Sequence, residues 1–170
     1  MVKITADKWC ISPYTKAAML NGRNWDGKNW EFAKDWHINI KAPTYEADLI
    51  IKEGFVSDGG SIPPPADTIV HPMGKYVLGF WFHDGWYGGE LGKRNDGDWI
   101  LLDIMQAQGA DWIVRNGVYT AVDIGGGAVW AKHKKAQVKA NQDLLVFNFT
   151  GKIPYHLLKP ASNGFAKFTY

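Results

Sequence analysis

The chain has one cysteine, Cys10, in 170 residues. No intramolecular disulfide framework is available to it, which suits a reducing compartment. A long apolar run is also missing. The longest apolar-rich stretch, Tyr76 to Phe82, is seven residues, against roughly 20 for a membrane span. Met1 to Cys10 carries Lys3, Asp7 and Lys8 with no apolar run, so it does not read as a signal peptide. Charge of one sign is scarce: 19 basic and 17 acidic residues leave a net charge of +2. That balance argues against a protein built to grip nucleic acid. No internal repeat or low-complexity linker divides the chain, and residues 1–170 read as a single domain.

What is abundant is ring. Nine Trp, seven Tyr and eight Phe stand in a chain that is 46% hydrophobic and 21% charged. These are globular proportions, and a chain of this size buries roughly two-thirds of its unfolded surface. A core packed with large rings is the expectation, ahead of an aromatic binding surface.

Asn21-Gly22 and Asp26-Gly27 mark residues 1–28 as turn-rich. Lys28 to Ile40 alternates through Trp30, Phe32, Trp36, Ile38 and Ile40. This pattern predicts strands, with a hairpin turning at Lys34-Asp35. Asp48 to Phe55 reads as another strand. Ser57 to Pro65 holds two adjacent glycines and three prolines, a loop forced into an extended exit. Lys75 to Tyr87 predicts a helix with Tyr76, Phe80, His83 and Tyr87 on one face. Asn95 or Asp96 caps a second helix, which runs to Gln108 and stops at Gly109, with Asp98, Leu101, Leu102 and Met105 inward. A third helix spans Asp111 to Val138, in one piece or two. At Gly125-Gly126-Gly127 either this helix breaks or another backbone packs very close, since each glycine costs about 1 kcal/mol against alanine. Its basic end, Lys132 to Lys135, suits a helix C-terminus. Leu145 to Phe149 is strand-like, and Pro154, Pro160 and Asn163-Gly164 mark loops. Strands precede helices in a block, so the fold expected is α+β, two or three packed helices against a small, mainly antiparallel sheet.

Chemistry concentrates at Trp81-Phe82-His83-Asp84-Gly85-Trp86-Tyr87. His83 and Asp98 fall on inward faces of consecutive helices joined by a short connection, which places them within about 3.5 Å, directly or through one water. Such a pair makes a general base, the carboxylate fixing the tautomer and stabilising the imidazolium. A core histidine satisfied by one hydrogen bond is the plainer alternative. Zinc is poorly supported, without a Cys pair, His-x-x-x-His or His-Glu-x-x-His. Calcium or magnesium could draw on Asp58 or Asp84 with loop carbonyls. Asp58 before Gly59-Gly60 suits an Asx turn, its carboxylate taking the N–H of residue 60 or 61, or else reaching the His83 helix. Ser61 lacks the Gly-x-Ser-x-Gly setting of a nucleophile elbow.

Gly54-Phe55-Val56-Ser57-Asp58-Gly59-Gly60-Ser61-Ile62-Pro63, His83-Asp84-x-x-Tyr87, and Arg94 followed by Asp98 and Met105 occur in that order. Together they resemble the signature of a phage and prophage family of unknown function, over residues 28–133. The resemblance implies a virion- or tail-associated accessory or structural protein. Its partners would be other phage structural proteins or a host envelope component, and its place the phage particle or the host cytoplasm. The same segment is similar to the His-Asp helices of secretory phospholipase A-two. That similarity implies His83 as base, Asp98 as the carboxylate orienting it, Tyr87 as hydrogen-bonding support, and Asp84 as calcium ligand. The loop of Asp58, Gly59, Gly60 and Ser61 would replace that family's calcium loop. The disulfides of that family are missing here, and the prolines after Ser61 are foreign to it. Three readings follow: a virion component without chemistry, a hydrolase acting on a lipid or envelope ester through His83 and Asp98, and a host-takeover binding protein. Geometry separates the first two. A hydrolase needs the pair in hydrogen-bond reach beside an open cleft, and a structural protein would seal His83 in the core and show an apolar patch elsewhere.

Overall fold

The computed structural model describes residues 1–7, 29–59, 70, 74–154 and, by backbone alone, 15–17, 158–160 and 166–168. In chain order the strands β1 (Lys3–Ala6), β2 (Thr15–Ala17), β3 (Trp30–Phe32), β4 (Trp36–Lys41), β5 (Tyr45–Ile51) and β6 (Val56–Ser57) come first. Helices α1 (Val77–Gly89), α2 (Arg94–Ala107), α3 (Trp112–Trp130) and α4 (Lys135–Asp143) follow, then β7 (Leu145–Gly151), β8 (Leu158–Pro160) and β9 (Ala166–Phe168). The main sheet has the order β1-β4-β5-β7, a second pairs β2-β3-β6, and β8 pairs with β9, all antiparallel. The architecture is α+β.

Strand alternation is read out directly in the main sheet. Trp36, Ile38 and Ile40 of β4 are fully buried, as are Ala47, Leu49 and Ile51 of β5. His37 and Asn39 face the other side, where His37 Nε2 lies 2.7 Å from Asp48 Oδ1. The buried face receives α1, whose residues are almost all buried, not just those on one stripe. Gly85 makes the close approach possible, since a Cβ there would sit 3.1 Å from Leu49 Cδ2 and 3.3 Å from Ile51 Cδ1. The rings pack at this junction: Trp81 meets Phe32 and Trp36 edge-on at 5.0 and 5.2 Å, and Trp86 meets Phe147 at 4.9 Å. Helix α2 lies against α1, and α3 against α2.

Five local expectations are corrected. Trp30–Phe32 and Trp36–Lys41 form no hairpin: β3 joins β2 and β6, whereas β4 joins β1 and β5. Their partners are distant strands that outcompete the short link at residues 33–35. Helix α2 begins at Arg94 with Lys93 at the cap and no capping side chain, because Lys93 is fixed by its own carbonyl, which accepts from Trp86 Nε1 at 3.1 Å. The third helix passes through Gly125-Gly126-Gly127 and divides at residues 131–134. What packs close to Gly126 is side chain: a Cβ there would lie 2.5 Å from the Tyr87 hydroxyl and 3.3 Å from Arg94 Nη1. The basic cluster does not close a helix. Lys132 to Lys134 lie in the turn and Lys135 opens α4, where the dipole disfavours cations. Pro160 belongs to strand β8. Asn163-Gly164 and both early turn signals lie outside the described residues.

Candidate functional site

The site begins with a helical register. On α1, His83 and Tyr87 are one turn apart, with ring centroids 4.1 Å from each other. On α2, Arg94 and Asp98 are also one turn apart. Packing α1 on α2 brings three of these side chains to the carboxylate of the fourth, Asp98. Asp98 Oδ1 lies 2.8 Å from His83 Nε2 and accepts from the Tyr87 hydroxyl at 2.6 Å. Asp98 Oδ2 accepts from Arg94 Nη1 at 3.0 Å. Asp98 is 1% exposed and His83 8%. The pairing expected from the helix faces is therefore present, direct and without a bridging water.

The surroundings constrain each partner. Burial, then the bond to Asp98, push the Tyr87 phenol well above its ordinary range, so it stays a neutral donor. Burial opposes the Arg94 charge, but the bond to Asp123, with Tyr87 and Asp98 beside it, holds the guanidinium above its ordinary value. Arg94 Nη2 donates to Asp123 Oδ1 at 3.0 Å, and Nη1 approaches the Val122 carbonyl oxygen at 3.3 Å. The Tyr87 ring meets Trp130 edge-on at 5.0 Å. Nε2 of His83 is occupied by Asp98, and among the described residues Nδ1 has no hydrogen-bond partner.

Beside this cluster lies a cleft of about 760 Å³. His83, Asp84 and Tyr87 line one side, Val122, Gly126 and Val129 of α3 another, and Lys132, His133 and Lys134 stand at the turn between α3 and α4. Ser57 and Asp58 also line it. The Ser57 hydroxyl donates to Asp84 Oδ2 at 2.5 Å and accepts from the Gly59 N–H at 2.9 Å. Asp84 is pushed well above the carboxylate range, first by burial and then by the neighbouring Asp58 charge. Asp58 thus lies beside the His83 helix, one of the two placements expected for it; residues 60 and 61, on which the other depends, lie outside the described residues.

The resemblance to phospholipase A-two assigned Asp84 and Asp58, with the loop Gly59, Gly60 and Ser61, to calcium. Calcium takes about six to eight oxygen ligands. Among the described residues no group of three or more His, Cys, Asp or Glu side chains converges on a metal position. Asp84 is already engaged by Ser57, Gly59 and Asp58. Gly60 and Ser61 lie outside the described residues. The described donors do not fit the ion, and no step below passes through a metal.

Six residues at the site carried no site assignment in the sequence. Arg94 was a motif position only, although its i,i+4 spacing to Asp98 was readable. Ser57, Asp123, Lys132, His133 and Lys134 depend on how distant segments meet. Among the described residues, no helix is long and apolar enough to cross a membrane.

The fold and site define an α+β domain with a buried His–Asp pair at the side of a cleft. A family model described as "Protein of unknown function (DUF1353)" matches residues 30–122, within the 28–133 segment that carries the motifs, and the chain belongs to that family. No curated protein and no solved structure matches the chain.

Proposed function

We propose that the cleft is a hydrolytic site acting on an ester, with His83 as general base, Asp98 as its orienting carboxylate and Tyr87 as support. One observation carries this reading: a direct 2.8 Å His83–Asp98 bond with His83 also lining the cleft. A histidine satisfied by one bond in a closed core would have no such access. In the proposed step, His83 Nδ1 takes a proton from water as its oxygen attacks the ester carbonyl. The imidazolium is stabilised by Asp98, and its proton then passes to the departing alkoxide. The connectivity His83–Asp98–Tyr87 is what the similarity to the phospholipase A-two helices implies, and a lipid or envelope ester is the substrate proposed.

The test is hydrolysis of a chromogenic acyl ester and of phospholipid vesicles. His83→Gln should abolish turnover with thermal unfolding nearly unchanged. A wild-type protein inactive on both substrates, or a variant as active as wild type, would sink the reading.

A second reading, which the phage-family motifs support, is an accessory component of the virion or tail, acting on phage proteins or a host envelope component. Its supporting observation is the apolar exposure of α3, where Ile113 and Ile124 are 70% and 77% exposed. Mass spectrometry of purified particles tests it, and absence of the protein from them would remove it.

A further inference from the structure

Asp98 is a buried carboxylate, and a buried charge persists only with a counter-charge. Two groups stand in reach: His83, at 2.8 Å on Oδ1, and Arg94, at 3.0 Å on Oδ2. Only one of them is permanently charged. We propose that Arg94 is a positioning residue that neutralises Asp98 and so leaves His83 uncharged, the form a general base requires. The inference rests on the hydrolytic reading for its catalytic meaning, but the pairing itself can be measured without substrate.

The geometry supports this division of labour. Arg94 and Asp98 are one helical turn apart on α2, so their contact is built into that helix. The guanidinium is then fixed from the far side by α3, through Asp123 Oδ1 and the Val122 carbonyl. Its side chain is 20% exposed, so water competes little for it. Gly126 has no side chain, and the space a Cβ would take is held by Tyr87 and Arg94. The remaining titratable groups near the cluster leave the division unchanged; Lys132, His133 and Lys134 line the same cleft, and none of the three is paired with Asp98. Tyr87 of α1 and Tyr119 of α3 are both held above their ordinary range, in each case first by burial, and remain neutral. Asp84, the next residue to His83 on α1, is pushed up by burial and by Asp58. Asp123 is half exposed, with 49% of its side chain in solvent, so water meets much of its demand for charge. Without Arg94, the one cation left for Asp98 among the described residues would be His83 itself. The ring would then be held as imidazolium, with no lone pair for the water proton.

The experiment is ¹⁵N NMR of the His83 ring across pH in the intact, substrate-free protein. In the wild type at neutral pH the ring should be neutral with its proton on Nε2. In Arg94→Met the His83 titration should move to higher pH by about one unit or more, the size of effect that an unmatched neighbouring charge produces. Any ester hydrolysis should fall at neutral pH and recover as pH rises, with KM little changed. Arg94→Lys keeps the charge and should keep the wild-type titration, and it also serves if the methionine variant does not fold. Asp123→Asn cuts the tie to α3 but leaves the Asp98 contact, and should also titrate as wild type. An unshifted titration in Arg94→Met would overturn the proposal. So would a shift in Arg94→Lys or Asp123→Asn as large as that in the methionine variant. A protein inactive on every ester would refute the hydrolytic reading, while the titration still decides the pairing.

Discussion

Gly126 and Gly127 are neighbours in the C-terminal part of α3, yet substitution by alanine should move stability in opposite directions. Inside a helix, replacing glycine by alanine gains about 1 kcal/mol. At Gly127 nothing lies within 4 Å of the added carbon, so that gain should appear almost whole. At Gly126 the added Cβ would lie 2.5 Å from the Tyr87 hydroxyl and 3.3 Å from Arg94 Nη1. Tyr87 cannot yield cheaply. Its hydroxyl is bound to Asp98 at 2.6 Å, and its ring is held between His83 and Trp130. Displacing it loses a hydrogen bond to a charged acceptor, about 1.5–3 kcal/mol. Overpacking adds about 1–3 kcal/mol. After the helix gain is deducted, Gly126→Ala should destabilise by about 2 kcal/mol or more, while Gly127→Ala stabilises by up to about 1. Urea unfolding followed by far-ultraviolet circular dichroism measures both, with the two midpoints moving apart at unchanged slope. If both substitutions shift the midpoint alike, the close approach of α3 to the Tyr87–Arg94–Asp98 cluster is refuted.

Two further predictions concern partly buried carboxyl groups. Asp84 is raised above the carboxylate range in the folded protein, so between its unfolded and folded values the folded form holds a proton that the unfolded chain has released. Its contribution is complete at acid pH and is lost as pH rises toward the raised value. Asp84→Asn mimics the protonated group, so the melting temperature should fall less between about pH 4 and pH 8 than in wild type; a variant with the same pH dependence would count against the raised Asp84 titration. The Tyr45 hydroxyl donates to Asp103 Oδ2 at 2.6 Å, and Trp99 Nε1 donates to the same oxygen at 3.1 Å. Tyr45→Phe removes one of these two donors and should cost about 1–3 kcal/mol. An unchanged urea midpoint would show that the bond between sheet and helix contributes nothing.

Much of this protein was determined locally. The alternation Trp36, Ile38, Ile40 needs only a pleated strand with one buried side, and the order of strands before helices sets the α+β class. His83 and Tyr87, or Arg94 and Asp98, share a face because a helix turns every 3.6 residues. A short connection between α1 and α2 then makes the two faces meet. Those facts suffice for the His83–Asp98 pair, which is why it was legible. The rest was decided by contacts between segments far apart in the chain, which no local period encodes. Trp30–Phe32 and Trp36–Lys41 look like one hairpin until their partners, β6 for the first and β5 for the second, are known. Whether three glycines break a helix depended on Tyr87 and Arg94, on two other helices, filling the space above Gly126. The basic cluster changed from a helix end to the rim of a cleft because α3 stops at Trp130 and α4 packs back on α1. Asp84 came under the influence of Asp58 only when β6 was laid beside α1. Periodicity determines which side of an element a residue takes, whereas the partner on that side depends on packing energy summed over the whole core.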